Sequence, residues 1–81
     1  MIVTLLFFAQ ARERAGCPQA ALELPDGASL ADLEARVKHD YPRLAELLPT
    51  LAIAVDGELA RPGCTLRPGS EVALLPPVSG G

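Results

Sequence analysis

The sequence predicts an α+β fold, in which a mixed β-sheet packs one main helix on one of its faces. Short runs of apolar and β-branched residues between turn residues predict strands toward both ends of the chain. One stretch in the middle has the apolar period of an amphipathic helix. With 81 residues, of which 49% are hydrophobic and 21% charged, the chain suits one small domain with its own core.

The first 24 residues predict a hairpin with a wide connection. Residues 2–8 form an apolar run, rich in β-branched and aromatic side chains, that is typical of a central strand. Residues 9–15 favour a short helical turn that ends at Gly16. Residues 19–24 alternate between apolar and polar side chains, which predicts a half-exposed strand.

The main helix is predicted from its cap and its apolar stripe. Ser29 is a favoured N-cap residue, and Asp32 stands three positions later in a variant of the capping box. Pro42 ends the helix, because it disfavours the α conformation of the residue before it. The stripe consists of Leu30, Leu33, Val37 and Tyr41. Leu44, Leu47 and Leu48 follow in what we expect to be one more turn.

The second half predicts three more extended segments. Residues 51–55 form a strand, and the Asp56-Gly57 pair that follows is a strong hairpin signal. Residues 58–60 favour a brief extended return, and residues 71–75 form the last strand after a loop rich in proline and glycine. The order ββαββ makes the first and last strands parallel neighbours at the centre of the sheet. This is the β-grasp, or ubiquitin-like, architecture.

We therefore divide the chain into a β-grasp domain, residues 1–75, and an extended C-terminal tail, residues 76–81. Pro76 and Pro77 block ladder hydrogen bonds and stiffen the exit from the last strand. The two final glycines carry no side chain, so this segment can thread a narrow channel and present a carboxylate to another protein. The alternative is a frayed terminus without a function.

The strand alternation predicts an apolar face that no second helix covers. Such patches mark interaction sites. Alternatively, the loop of residues 56–68 folds back over the face, with Leu59 or Leu66 as its cover. The residues expected on this face are Ile2, Thr4, Leu6, Phe8, Ala52, Ala54, Ala73 and Leu75.

Charge and composition exclude several function classes. The net charge is −3 without any cluster of Lys and Arg, which argues against nucleic-acid binding. His39 is expected at the surface, and Cys17 and Cys64 are expected to be free thiols that form neither a disulfide nor a zinc site. No signal peptide or membrane span is predicted, so we expect a cytoplasmic protein. The residues predict no active site, cofactor or metal of their own.

Two segments carry a specific resemblance. Residues 7–13 read FFAQARE, and residues 69–81 read GSEVALLPPVSGG. In both, and along its whole length, the chain resembles the MoaD family, the small subunits of molybdopterin synthase. These are β-grasp sulfur carriers. The resemblance implies that Gly81 is adenylated and then thiocarboxylated, and that it donates sulfur to precursor Z. This transfer forms the dithiolene in molybdenum cofactor biosynthesis.

The resemblance also implies partners and site residues. A MoeB-type E1-like enzyme would adenylate Gly81 with ATP and Mg, and a sulfur donor system would supply the sulfur. A MoaE-type large subunit, in a heterotetramer, would carry out the catalysis. Threading into it is implied for Val78, Ser79 and Gly80, and partner binding for Phe8, Leu59, Leu75 and Arg12. A related carrier or protein modifier for thiamine synthesis, tRNA thiolation or another pathway stays open as the alternative.

Overall fold

A computed structural model describes residues 1–61 and 63–77 of the chain. Pro62 and residues 78–81 lie outside the described part. The elements in chain order are β1 (Ile2–Phe7), α1 (Ala9–Ala15), β2 (Gln19–Glu23), α2 (Leu30–Asp40), 3₁₀ turns at Pro42–Leu44 and Leu48–Thr50, β3 (Ala52–Val55), β4 (Glu58–Leu59) and β5 (Glu71–Leu75).

The sheet has the strand order β2-β1-β5-β3-β4. The two central strands, β1 and β5, run parallel, and each other neighbouring pair is antiparallel. Helix α2 supplies the layer that covers one face. The predicted β-grasp architecture is therefore confirmed, and the predicted helical turn after β1 is the two-turn helix α1.

Helix α2 begins where its capping residues predict. The Ser29 backbone N–H donates to Asp32 Oδ2 at 2.9 Å, and the Asp32 N–H donates to Ser29 Oγ at 3.2 Å. The two bonds together make the capping box. At the other end Tyr41 is the C-cap and packs its ring edge on Phe7, with centroids 5.3 Å apart. Pro42 starts the 3₁₀ turn that follows.

The core lies between the sheet and α2. Side chains alternate along β1 and β5, so every second one enters it. The buried apolar residues are Val3, Leu5, Phe7, Ala11, Leu22, Leu24, Ala28, Leu30, Leu33, Val37, Leu44, Leu47, Leu48, Leu66, Val72 and Leu74.

The turn between β3 and β4 has the geometry that Asp-Gly pairs favour. Asp56 and Gly57 both have positive φ, 51° and 86°. The Asp56 carboxylate also accepts a hydrogen bond from the Glu71 N–H at 2.9 Å, which ties the turn to the start of β5.

The loop before β5 does not bring Leu66 over the open face of the sheet, as one of the two expectations had it. Leu66 is 3% exposed and belongs to the core, and its N–H donates to the Ala28 carbonyl at 2.9 Å. Thr65 bridges to Ser29, and the Leu30 N–H donates to the Cys64 carbonyl. The described part of the loop is thus held against the start of α2. The expectation that Leu66 covers the open face is wrong, because these backbone bonds turn Leu66 into the helix side of the sheet.

Candidate functional site

The face of the sheet opposite α2 carries a continuous row of side chains across all five strands. Leu6 pairs with Gln19 on one side and Ala73 on the other. Ala73 then pairs with Ala54, and Ala54 with Leu59. Directly paired residues project from the same face. Leu59, at the β4 edge of this row, is 70% exposed.

A second row lies at the end of β5 from which the tail departs. Leu75 pairs with Ala52, and the Phe8 N–H donates to the Leu74 carbonyl at 3.3 Å. Phe8 has extended backbone angles and follows the buried Phe7, so its side chain projects from the open face. It is 44% exposed, and Leu75 is half-buried.

The structure therefore brings together three of the four predicted partner-binding residues. Phe8, Leu59 and Leu75 share the open face, with half-buried alanines between them at positions 52, 54 and 73. Three strand spacings, about 14 Å, separate the β1 and β4 edges of this patch. The alanines form a low floor, and Phe8 and Leu59 are its rims. We call these six residues the docking patch.

Arg12 lies off this patch. It is exposed on α1, beside a hollow that Glu13 and Cys17 also line. Within residues 1–61 and 63–77 its guanidinium has no carboxylate within salt-bridge distance. Its role in partner binding remains a prediction.

The root of the tail is bounded by residues that the sequence did not single out. Ala9, Gln10 and Leu51 join Pro76 and Pro77 around a hollow of about 330 Å³. Leu51 lies there because the next residue, Ala52, pairs with Leu75. Ala9 lies there because α1 starts directly after Phe8. Both placements depend on strand order, which no local pattern at these positions indicates.

The predicted tail residues Val78, Ser79, Gly80 and Gly81 fall outside the described residues. Their roles in threading and in carrying the sulfur therefore stay predictions. What the structure provides is the starting point of the tail. Pro76 and Pro77 are exposed and follow directly from β5, next to the docking patch.

Side chains in the described part offer little chemistry of their own. His39 is exposed, and its Nδ1 lies 3.0 Å from Asp40 Oδ1. This hydrogen bond, with a smaller contribution from Arg36, lowers the pKa of Asp40 against the opposing effect of desolvation. Cys17 and Cys64 are half-buried free thiols. No group of three or more potential metal ligands occurs among the described residues, and none of their helices is long and apolar enough to cross a membrane.

Comparison with known proteins gives consistent matches. Residues 5–81 match the ThiS family. The molybdopterin synthase sulfur carrier subunit of Chlamydomonas reinhardtii is 40% identical, and the alignment covers all of both chains. The crystal structure of SAMP1 from Haloferax volcanii superposes with a TM-score of 0.89 at 26% identity, over all of both chains.

A third match is a chain from a complex. It belongs to the protein–protein complex of subunits 1 and 2 of molybdopterin-converting factor from Helicobacter pylori. It is 30% identical to this chain over all of both chains, with a TM-score of 0.75.

Proposed function

The chain belongs to the ThiS family, and on this premise we propose that it is the sulfur carrier subunit of a molybdopterin synthase. The resemblance to MoaD predicted from the sequence is confirmed by the relatives that carry this name in species from Chlamydomonas reinhardtii to Homo sapiens. The subunit acts as a sulfur donor, and catalysis belongs to its large partner.

One structural observation carries the proposal. The docking patch lies at the end of β5 that leads into the tail, so a partner that covers the patch also receives the tail. Phe8 and Leu59 are large apolar side chains left exposed, which a small domain retains where a partner covers them.

The chemistry we propose is confined to the carboxylate of Gly81. This carboxylate attacks the α-phosphorus of ATP, and pyrophosphate leaves. A sulfide-level nucleophile then displaces AMP from the acyl carbon, which leaves a thiocarboxylate. In the synthase the sulfur passes to precursor Z, and water returns the oxygen that restores the carboxylate. Each carrier delivers one sulfur, so the two sulfurs of a dithiolene require two loaded carriers.

The partners follow from the same proposal. The Helicobacter pylori complex supports a large-subunit partner of the MoaE type. We further propose a heterotetramer with that subunit, a MoeB-type E1-like enzyme that uses ATP and Mg, and a separate sulfur donor system. Two free thiols, Cys17 and Cys64, fit the reducing conditions of the cytoplasm, where we place the reaction.

Deletion of Gly81 tests the proposal. Wild-type protein is incubated with ATP, Mg, a MoeB-type enzyme and a sulfur source, and its intact mass is measured. We expect the shift of one oxygen replaced by sulfur in the wild type and in a His39→Ala control, and no shift after the deletion. An unchanged wild-type mass, or a shift that survives the deletion, would rule out the role of Gly81.

A second step distinguishes the pathways. Thiocarboxylated protein is mixed with precursor Z and a MoaE-type subunit, and molybdopterin is quantified. Sulfur transfer to a thiazole precursor or to tRNA, with none to precursor Z, would favour the alternative carrier. The names of the relatives favour molybdopterin synthesis.

A further inference from the structure

Ala9 has a backbone conformation that its side chain does not explain. Its φ is 51°, in the left-handed region, and only Asp56 shares this property among the non-glycine residues described. Left-handed Asp residues are common because their side chains bond locally. Asp56 lies in the Asp-Gly hairpin turn, and its carboxylate accepts a hydrogen bond from the Glu71 N–H at the start of β5, whereas the alanine side chain has no polar group. Strain of this kind persists only where the surroundings impose it.

The surroundings of Ala9, the first residue of α1, confine the change from strand to helix to a single residue. Phe8 is still extended and bonded to the Leu74 carbonyl. Two residues after Ala9, Ala11 is fully buried, and its N–H already donates to the Phe8 carbonyl at 3.0 Å. The change from strand to helix must therefore be made at Ala9. This turn brings the start of α1 to the end of β5.

The strained residue borders the root of the tail. Ala9, Gln10 and Leu51 line the hollow that Pro76 and Pro77 also line. The two prolines have fixed φ angles, so a direction set at Pro76 is carried through Pro77. The strain thus lies next to the segment that leads to the reactive end.

We propose that Ala9 and Leu51 are positioning residues, which set the direction in which the chain leaves β5 at Pro76–Pro77. The inference rests on the proposed function, because direction matters only if the tail must reach a site in a partner. Four residues span at most about 13 Å when extended. A change of about 10° at the root would move the far end by about 2 Å over that span, and displacements of about 1 Å can cost 100-fold in rate.

The test uses a variant that removes the strain without unfolding the domain. Ala9→Gly permits the same φ at no steric cost but widens the conformations open to the turn. Asp56→Gly is the control, since it puts glycine at the same φ at the opposite end of β5. It also removes the carboxylate that accepts from the Glu71 N–H, so it perturbs its own end of β5 at least as much. Leu51→Ala shortens a second side chain that lines the hollow, and Leu51→Met restores its bulk.

In single-turnover sulfur transfer with a MoaE-type subunit and precursor Z, we expect Ala9→Gly and Leu51→Ala to lower the maximal rate by about 10- to 100-fold. The partner concentration for half-maximal rate should stay within about twofold of wild type, and Leu51→Met and Asp56→Gly should keep the wild-type rate. Equal losses in Ala9→Gly and Asp56→Gly would overturn the proposal. So would a loss of affinity at an unchanged maximal rate.

An NMR measurement tests the positioning independently of sulfur chemistry. In the free protein we expect nuclear Overhauser contacts from the Leu51 methyl groups and the Ala9 methyl group to the rings of Pro76 and Pro77. The Leu51 contacts should weaken in Ala9→Gly and persist in Asp56→Gly. Their absence from the wild type would refute the positioning role even if the protein carries sulfur. Conversely, contacts as expected with no sulfur loading would leave the geometry intact and refute the proposed function.

Discussion

Two exposed aliphatic side chains on the open face allow a matched test of the docking patch. Leu59 and Ile2 are 70% and 58% exposed. They differ in position along the strands. Leu59 is in the row next to the end of β5, whereas Ile2 is three rows from that end, or about 20 Å at two residues per row. We expect Leu59→Ala to weaken binding to the large subunit and Ile2→Ala to leave it nearly unchanged.

The expected size follows from the exposed area that a partner can cover. Full burial of a leucine side chain stabilises by about 1.5–3 kcal/mol. Leu59 has 70% of its surface still exposed, so covering it contributes up to about 1–2 kcal/mol. At 1.4 kcal/mol per tenfold, the dissociation constant should rise about 5- to 30-fold. The free domain should lose under about 1 kcal/mol of stability, because little of Leu59 is buried before binding.

The assay is isothermal titration calorimetry of each variant against a MoaE-type subunit, with a thermal melt of each free variant as the control for folding. Leu59→Ala should melt close to the wild-type temperature and bind more weakly. The reasoning is refuted if Leu59→Ala binds like the wild type, or if Ile2→Ala weakens binding as much. The first result would mean that the partner does not cover Leu59, and the second that its contact is not confined to the tail end of the face.

Three further predictions concern the domain itself. Ser29→Ala removes the side-chain acceptor of the capping box and should cost about 1 kcal/mol, which lowers the melting temperature by about 4–8 °C. Burial, with smaller effects of Cys17 and Asp40, raises the pKa of Tyr41 above 10.0. Because Tyr41 is the only tyrosine, its phenolate absorbance reports this group alone, and the folded protein should titrate at a higher pH than the unfolded protein. The stability that Tyr41 contributes should be lost as pH rises through the pKa of the folded state. The pKa of Asp40 is lowered in the folded protein, so this carboxylate stabilises the fold above pH 3.8 and loses that effect as pH falls through its folded-state pKa. The difference in melting temperature between Asp40→Asn and wild type should therefore disappear in acid.

Much of the fold could be predicted from local patterns, because those patterns act locally. The capping pair Ser29 and Asp32 bonds within one turn, and Asp56-Gly57 closes its hairpin with the positive φ angles that the pair tolerates. The alternation of side chains along β1 and β5 also predicts which residues share the open face. Phe8 and Leu75 can therefore be assigned to the same face from the strand pattern alone.

What could not be predicted depends on contacts between distant segments. Leu66 looked suited to cover the open face, but bonds from its loop to Ala28 and Ser29 place it in the core instead. Ala9 and Leu51 carry no local signal for the root of the tail, since the pairing of Ala52 with Leu75 brings Leu51 there. The left-handed turn at Ala9 is likewise imposed by its neighbours, because Phe8 before it is bonded to β5 and Ala11 after it is buried in the core.

The central position of β5 has a consequence for how the protein is made. Strand β5 lies between β1 and β3, yet it is the last strand of the described chain to leave the ribosome. Until it emerges, the nascent chain has two separate strand pairs and a gap where the middle of the sheet belongs. Translation products that stop before Glu71, the first residue of β5, would thus be poorly folded and open to degradation. Because the docking patch includes residues of β5, a chain can dock only after its synthesis has reached the root of the tail.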